Sequence, residues 1–574
     1  MARKGTWLVL AVLVLVLALG VAVLGAVLYL TIETPVKEES FLFFSLEGEL
    51  PEEVPDDSLA WLLGKRPLSV REVLDALEKA SEDERIAGVI LDVGFPDIGL
   101  GKVQEIRSAL EAYRAKTQKP VYAYGEMLTD ATYYLALAAD EIYMPPQGYL
   151  LLDGFRTEVP FYRRFLNWLN IVPELIQVEE YKNTADIFMR ETMSEAHREA
   201  TTAVLDDLYG QLVRVIAARW GFEEADAAVL VDQGPYFGRP ALDAGLVTDL
   251  LYQDEFEAHV LEAQGKDPES DELEIIGIHK YLKGHSAWGE EKIAIVVAEG
   301  VIVLGENSED PILGKRMGSD TIAEAFRDIR SDGSIRGVLF RIESPGGSGL
   351  ASDIVWRETQ LLRNAGIPVV ASMSDVAASG GYYIAMGSTT IVAQPATLTG
   401  SIGVINGKFV TDGFWREWLR INHESIQRGE NANLFSSLTR FSEAQAEKMH
   451  KDTWDFYWQF ADKVAQGRGM TRDEVDAVAR GRVWSGERAF RNGLVDALGG
   501  YDEALALLRK EANLADDVEL RHLIYPKGKS FLERLAELVA PRPQLTLEDL
   551  TDPDRMIPYL REPTLLLAPV AEIR

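Results

Sequence analysis

The chain contains no cysteine, so disulfides, thiolate nucleophiles and cysteine-bound metals are excluded, while nothing follows about the compartment. Histidine is sparse. The seven histidines stand apart at His197, His259, His279, His285, His423, His450 and His522. They lack the H-E-x-x-H spacing of a zinc helix, and no metal or other cofactor is expected. Positive charge is in deficit: 58 lysines and arginines face 91 aspartates and glutamates, a formal net charge of −33. That balance argues against a nucleic-acid partner. Apolar residues are not lacking. With 47% hydrophobic and 26% charged residues over 574 positions, the chain is supplied for folded cores and is too long for a single one.

Residues 7–30 form one unbroken run of apolar and small residues. At ~24 residues and about 1.5 Å per residue, a helix there reaches the roughly 30 Å of a bilayer core. Arg3 and Lys4 precede it and Glu33, Glu38 and Glu39 follow, which keeps residues 1–6 in the cytoplasm and sends the body across the membrane. A cleaved signal peptide is the alternative and exports the body too. The run is longer than a usual signal core, however, and no clear A-x-A site precedes Thr31.

Beyond residue 41, short apolar runs (41–46, 86–93, 120–123) alternate with amphipathic stretches (70–80, 103–114, 131–139), the order of an α/β fold. A charged, helix-rich section covers 194–220, and the polar stretch 265–272 marks a boundary. Then the order restarts, roughly 250 residues on. Arg85-Ile86-Ala87-Gly88-Val89-Ile90 returns as Ser334-Ile335-Arg336-Gly337-Val338-Leu339, and Tyr133-Tyr134-Leu135-Ala136 as Tyr382-Tyr383-Ile384-Ala385. Glu174-Leu175-Ile176-Gln177 returns as Glu424-Ser425-Ile426-Gln427, Ala244-Gly245-Leu246-Val247 as Asn492-Gly493-Leu494-Val495, and Leu63-Gly64-Lys65-Arg66 as Leu313-Gly314-Lys315-Arg316. Collinear matches of this kind mean a tandem duplication. The copies are expected at 40–262 and 290–512, with a linker at 263–289 and a proline-rich extension at 513–574.

Two copies need only one active site, so the positions where they differ are the informative ones. Ser379, in Ala377-Ala378-Ser379-Gly380-Gly381-Tyr382, stands where an apolar strand-like run gives way to a helix, and its counterpart is Asp130. It is a candidate nucleophile, with the Gly380 and Gly381 amides as donors at the helix start; the simpler reading is a serine N-cap before two glycines that pack closely. Ser344-Pro345-Gly346-Gly347-Ser348 has no glycine pair opposite it in the first copy. It reads as a loop through which backbone N–H groups approach a ligand, or as a turn. Lys182 shows the reverse asymmetry, lying near Ala432 in register. A lone lysine is usually a solvated charge. Here each copy keeps what the other lacks, the pattern of one composite site. A buried, neutral lysine can activate a serine, and the distance expected is about 2.6 to 3.5 Å. Glu179, Glu180 and Asp186 must then point away. Ser401, opposite Leu152, offers a hydroxyl to orient the amine, or is a turn serine.

These motifs together with Tyr181-Lys182 resemble the long, duplicated form of the bacterial signal peptide peptidases, the protease IV family. The resemblance covers residues 40–512 and the anchor. It implies a Clp-protease/crotonase-like fold in both copies and a dyad with Ser379 as nucleophile and Lys182 as general base. It also implies oxyanion donors at the Gly347 and Gly380 amides, and a membrane-anchored homo-oligomer, tetramer favoured, on the outer side of the cytoplasmic membrane. Its substrates would be remnant signal peptides or other hydrophobic peptides. Asn183 departs from the small residue expected after the lysine. A crotonase-type acyl-CoA enzyme and a non-catalytic membrane scaffold are the alternatives.

Overall fold

Parallel strands order the molecule, and they do so twice. The computed structural model describes residues 36–54, 66–283, 289–310 and 314–527, with the backbone of residues 565–567. The expected anchor at 7–30, residues 1–6, part of the 63–66/313–316 repeat and most of the 513–574 extension lie outside the described residues. Among the described residues no helix is long and apolar enough to cross a membrane.

In the first copy β1 (Ser40–Glu49), β2 (Ile86–Asp97), β3 (Val121–Tyr124) and β4 (Glu141–Met144) run parallel, with Ile275–Gly277 and Asp249–Leu250 at the two edges. Residues such as Val89, Ile90 and Leu91 are buried in succession, because a parallel sheet is covered on both faces and leaves no polar side to alternate with. The crossover helix α1 (Leu100–Thr117) returns the chain from β2 to β3. After β4 come a strand that serves the other copy, β5 (Val172–Gln177), and the long helix α2 (Glu195–Trp220).

The second copy repeats the plan with β6 (Glu291–Glu299), β7 (Ile335–Ser344), the short β8 (Gly346–Ser348), the crossover helix α3 (Gly349–Asn364) and β9 (Val369–Ala378). α4 (Gly380–Ala385), β10 (Leu398–Gly400), β11 (Ile405–Val410) and α5 (Glu443–Arg468) follow. Strand Leu520–Tyr525 pairs with β6 as Ile275–Gly277 pairs with β1. Each sheet therefore reaches past the expected limits at 262 and 512. The stretches read as linker and extension each give their copy an edge strand.

The repeats have a physical basis. Tyr133 Oη donates to Leu246 O at 2.6 Å, and Tyr382 Oη to Leu494 O at 2.9 Å, so two of the repeated tetrapeptides meet through one hydrogen bond in each copy. α2 and α5 both have 26 residues, both are capped by a serine (Ser194, Ser442), and both end on a left-handed glycine (Gly221, Gly469), the usual serine start and glycine stop. The copies share a core as well: Leu77 and Leu110 of the first belong to one apolar cluster with Ile295, Leu339 and Leu508 of the second. They also share a sheet, since β5 pairs antiparallel with β11 from Val172↔Val410 to Gln177↔Ile405. The repeat of Glu174-Leu175-Ile176-Gln177 at 424–427 forms no strand and is exposed, with Ile426 93% accessible.

Candidate active site

Ser379 follows the last residue of β9 and stands at the N-cap position of α4, but it does not cap. Its backbone lies at φ 56 and ψ −112, and its side chain makes no capping bond. A positive φ at a serine is a strained conformation that only surrounding structure can hold. Here the Ser379 N–H donates to Gly400 O at 2.8 Å and its carbonyl accepts from Tyr383 N at 2.9 Å. With its backbone pinned on both sides and its hydroxyl withheld from the helix, Oγ is free for another partner.

That partner arrives through the β5–β11 pair. Val178 N donates to Val404 O at 3.0 Å, so the residues just after β5 are stitched to those just before β11. Lys182 is thereby brought beside Ser401. Lys182 Nζ lies 2.6 Å from Ser379 Oγ, 2.9 Å from Ser401 Oγ and 3.0 Å from Ser401 O. Lys182 and both serines are fully buried. Burial alone drives the amine pKa well below its ordinary 10.5, since a charged ammonium loses its hydration there and gains no counter-charge. The nearby acids are occupied elsewhere: Glu180 is 3.6 Å from Arg480, while Asp186 accepts from Ser194 Oγ at 2.9 Å and lies 3.8 Å from His197. A neutral amine has two N–H groups and one lone pair. Three partners at these distances let it donate twice to Ser401 and accept the Ser379 proton.

Gly347 and Gly380, the residue after Ser379, lie against each other. A Cβ built on Gly380 would stand 3.1 Å from Gly347 N, and one on Gly347 would stand 2.1 Å from Ile302 O. Only glycine lets these backbones close up. Gly381 serves the packing reading, because a Cβ there would meet Ser344 O at 2.5 Å. Asn183 is buried behind the lysine, with its N–H bonded to Tyr181 O at 2.8 Å.

Three features were not read from the sequence. Gly481 and Gly403 line the lysine stem, a Cβ on Gly403 falling 3.1 Å from Lys182 Cδ; a glycine recurring at 234 and 481 is the one signal for it. A cluster of the buried Glu52, Lys102, Glu105 and Arg341 with the half-buried Glu343 and Asp375 joins the copies. Charges this far apart in sequence leave no motif. Finally β12 (Leu565–Leu567) runs antiparallel to β8, pairing Gly346↔Leu567, Gly347↔Leu566 and Ser348↔Leu565, and its Leu565 also pairs with Ile405 of β11.

Known proteins match this chain over most of its length. The model of peptidase family S49 matches residues 113–265 and 362–515, one segment holding Lys182 and the other Ser379 and Ser401. Among curated proteins, the chloroplastic serine protease SPPA of Arabidopsis thaliana is 34% identical over 487 residues, covering 83% of this chain and 70% of that one. Protease 4 of Salmonella typhi is 32% identical over 457 residues, 78% of this chain and 72% of its own. A solved mutant of ClpP1 from Listeria monocytogenes covers 37% of this chain and 94% of its own at 14% identity and a TM-score of 0.24.

Proposed function

The chain belongs to peptidase family S49 and is a serine-type peptidase, and from that premise we propose that it cleaves extended apolar peptides with a Ser379/Lys182 dyad. The observation that carries this reading is the 2.6 Å contact between Lys182 Nζ and Ser379 Oγ in a fully buried setting. Neutral Lys182 takes the Ser379 proton as Oγ attacks the peptide carbonyl. The oxyanion forms against the Gly347 and Gly380 amides, and the amine returns the proton to the departing nitrogen. Water, deprotonated by the same amine, then releases the acyl group. Ser401 orients the amine. Membership of a peptidase family sets aside the acyl-CoA and scaffold alternatives.

The substrates of the proposal are apolar peptides such as spent signal peptides, taken up as a strand along β8. The backbone pairing of Leu565–Leu567 with Gly346–Ser348 supports that mode of binding. Anchoring by residues 7–30, with the body outside the cytoplasm, follows from Arg3, Lys4 and the length of the run.

Assembly into a ring, with four chains favoured, is supported by the internal repeat. Within the chain, the N-terminus of α1 abuts Asp375. The corresponding positions are both open: Glu126 is exposed, and Leu350 at the start of α3 is 57% accessible. A cleft of about 340 Å³ beside Glu126, lined by Phe43, Ile90, Tyr124 and Phe256, can receive that leucine from a second chain. Head-to-tail repetition of one contact closes into a ring when the rotation allows.

Labelling with a serine-reactive phosphonate and cleavage of an apolar peptide test the proposal. Ser379→Ala and Lys182→Ala should each abolish both, and the double variant should be no worse than either single one. Lys182→Arg should be as inactive as alanine, because guanidinium keeps its protons. Substantial cleavage by Lys182→Ala at neutral pH would assign the base elsewhere.

A further inference from the structure

The approach to Ser379 contains a device that the dyad itself does not use. β7 and β9 pair in step as far as Ile342↔Met373, and the next pair is Ser344↔Ala377. Glu343 alone therefore faces residues 374–376, a bulge that frees amides from the ladder and re-aims the strand. The Glu343 side chain accepts those amides instead, Asp375 N at 2.7 Å and Val376 N at 3.4 Å from Oε2. The bulge turns the Asp375 carboxylate onto the first copy. There Oδ2 accepts from Gly99 N at 2.9 Å and Oδ1 from Lys102 N at 2.8 Å, in the first turn of α1. A Cβ on Gly99 would stand 2.5 Å from Asp375 Cγ, and one on Gly101 3.0 Å from its Cα, so both glycines are what lets the helix reach the strand.

The surroundings are buried and charged. Lys102 Nζ donates to Leu50 O at 3.1 Å and lies 3.5 Å from Glu52 and 4.0 Å from Asp375. Arg341, on the same strand as Glu343, donates to Glu52 at 2.6 Å and to Glu105 at 3.2 Å, both from the first copy. The first copy lacks the arrangement: Arg341 and Glu343 correspond to Asp92 and Gly94, and only Asp375 has an acidic counterpart, the exposed Glu126. Arg341 and Glu343 are thus peculiar to the copy that carries the serine.

We propose that Glu343 and Asp375 are positioning residues for peptide hydrolysis. Glu343 ties the base of the 344–348 loop to the strand that delivers Ser379, and Asp375 ties that strand to the copy that supplies Lys182. Nucleophile, oxyanion amides and base are thereby held in one register. The inference rests on the dyad reading above.

The two carboxyl groups do this differently, Glu343 accepting on one oxygen and Asp375 on both. Burial, and then the neighbouring Asp375, push Glu343 up to about 8, so at neutral pH it is an uncharged acceptor that glutamine imitates. Burial raises Asp375 as well, and both its oxygens accept N–H groups, from Gly99 and Lys102. Asparagine there turns an NH₂ group against an N–H.

Equivalent amide substitutions should therefore have opposite effects. In the full-length protein, Glu343→Gln should retain kcat within about threefold, while Glu343→Ala and Asp375→Asn should each lose about tenfold or more in kcat with KM little changed. Phosphonate labelling of Ser379 should slow in parallel. If Glu343→Ala melts early, Glu343→Gln against Asp375→Asn at matched melting temperature carries the test, because a merely structural role gives no such split. Wild-type kcat in Asp375→Asn, or a Glu343→Gln enzyme as slow as Glu343→Ala, overturns the inference. Labelling that persists in Ser379→Ala overturns the dyad reading instead.

Discussion

Gly481 and Lys182 touch backbone to backbone: a Cβ on Gly481 would stand 2.5 Å from Lys182 N and 2.6 Å from its Cα. Gly481 cannot swing away, since its N–H donates to Ile402 O at 2.8 Å. Any side chain at 481 must therefore push the lysine off Ser379. Gly481→Ala is expected to cut kcat/KM by about 10²-fold, the order of loss for a reacting group displaced by about 1 Å. Gly221 provides the control. It has φ +74 against +82 for Gly481, but nothing lies within 4 Å of its Cβ position, so Gly221→Ala carries similar backbone strain and should leave peptide cleavage unchanged.

The oxyanion assignment separates two glycines by what they touch. A Cβ on Gly347 meets backbone, Ile302 O at 2.1 Å, whereas on Gly380 the nearest atom is the Ser352 hydroxyl at 2.8 Å. A hydroxyl can rotate aside and a sheet carbonyl cannot. Both alanine variants should lose on the order of 10²–10³ in kcat, Gly347→Ala more than Gly380→Ala. Equal, small losses in steady-state cleavage would place the oxyanion elsewhere.

The sequence made the site legible through its asymmetry. Lys182 and Ser379 could be paired without a structure because each copy had lost what the other kept, and the Tyr133/Leu246 and Tyr382/Leu494 contacts explain why the flanking tetrapeptides survived in both. The alternation of apolar runs was enough for an α/β reading, because buried parallel strands carry their burial in consecutive residues such as Val89, Ile90 and Leu91. The edge strands Ile275–Gly277 and Leu520–Tyr525 escaped, since a short strand paired on one side has little apolar pattern. A capping role stood open for Ser379 beside the nucleophile reading, because strand-to-helix sequence does not report a positive φ. The Glu343–Asp375 arrangement was invisible for a different reason. It depends on a bulge, and a change of register is a property of two strands together.

The pairing of Leu565–Leu567 with Gly346–Ser348 leads to a kinetic expectation. A peptide that binds as a strand along β8 needs the same backbone groups, so the two exclude each other. A chain ending after Lys527 should show a KM several-fold lower for an apolar peptide with kcat nearly unchanged, and a synthetic peptide spanning 560–570 should inhibit it competitively. An unchanged KM together with no inhibition would show that substrate lies along a different edge.

Lys182 should cost the protein stability at the pH where it works. Its folded-state pKa is well below 10.5 because burial disfavours the charged form, while in the unfolded chain it keeps the ordinary value. Between the two, the unfolded state binds more protons than the folded one, so stability rises with pH through that window. At neutral pH the chain must give up a proton, or bury a charge, in order to fold. Methionine has a similar length and no proton to lose. Lys182→Met is therefore expected to be inactive but to melt at a higher temperature than the wild type at pH 7. The gain should shrink steadily as the pH is raised toward 10.5, where the unfolded lysine loses its proton too. The loss of hydrogen bonds to Ser401 O and Oγ is common to every pH and cannot produce that slope. Melting curves of the two proteins between pH 7 and pH 10 decide it: a constant difference across the range would mean that Lys182 holds the same proton folded and unfolded, and a neutral general base would then be untenable.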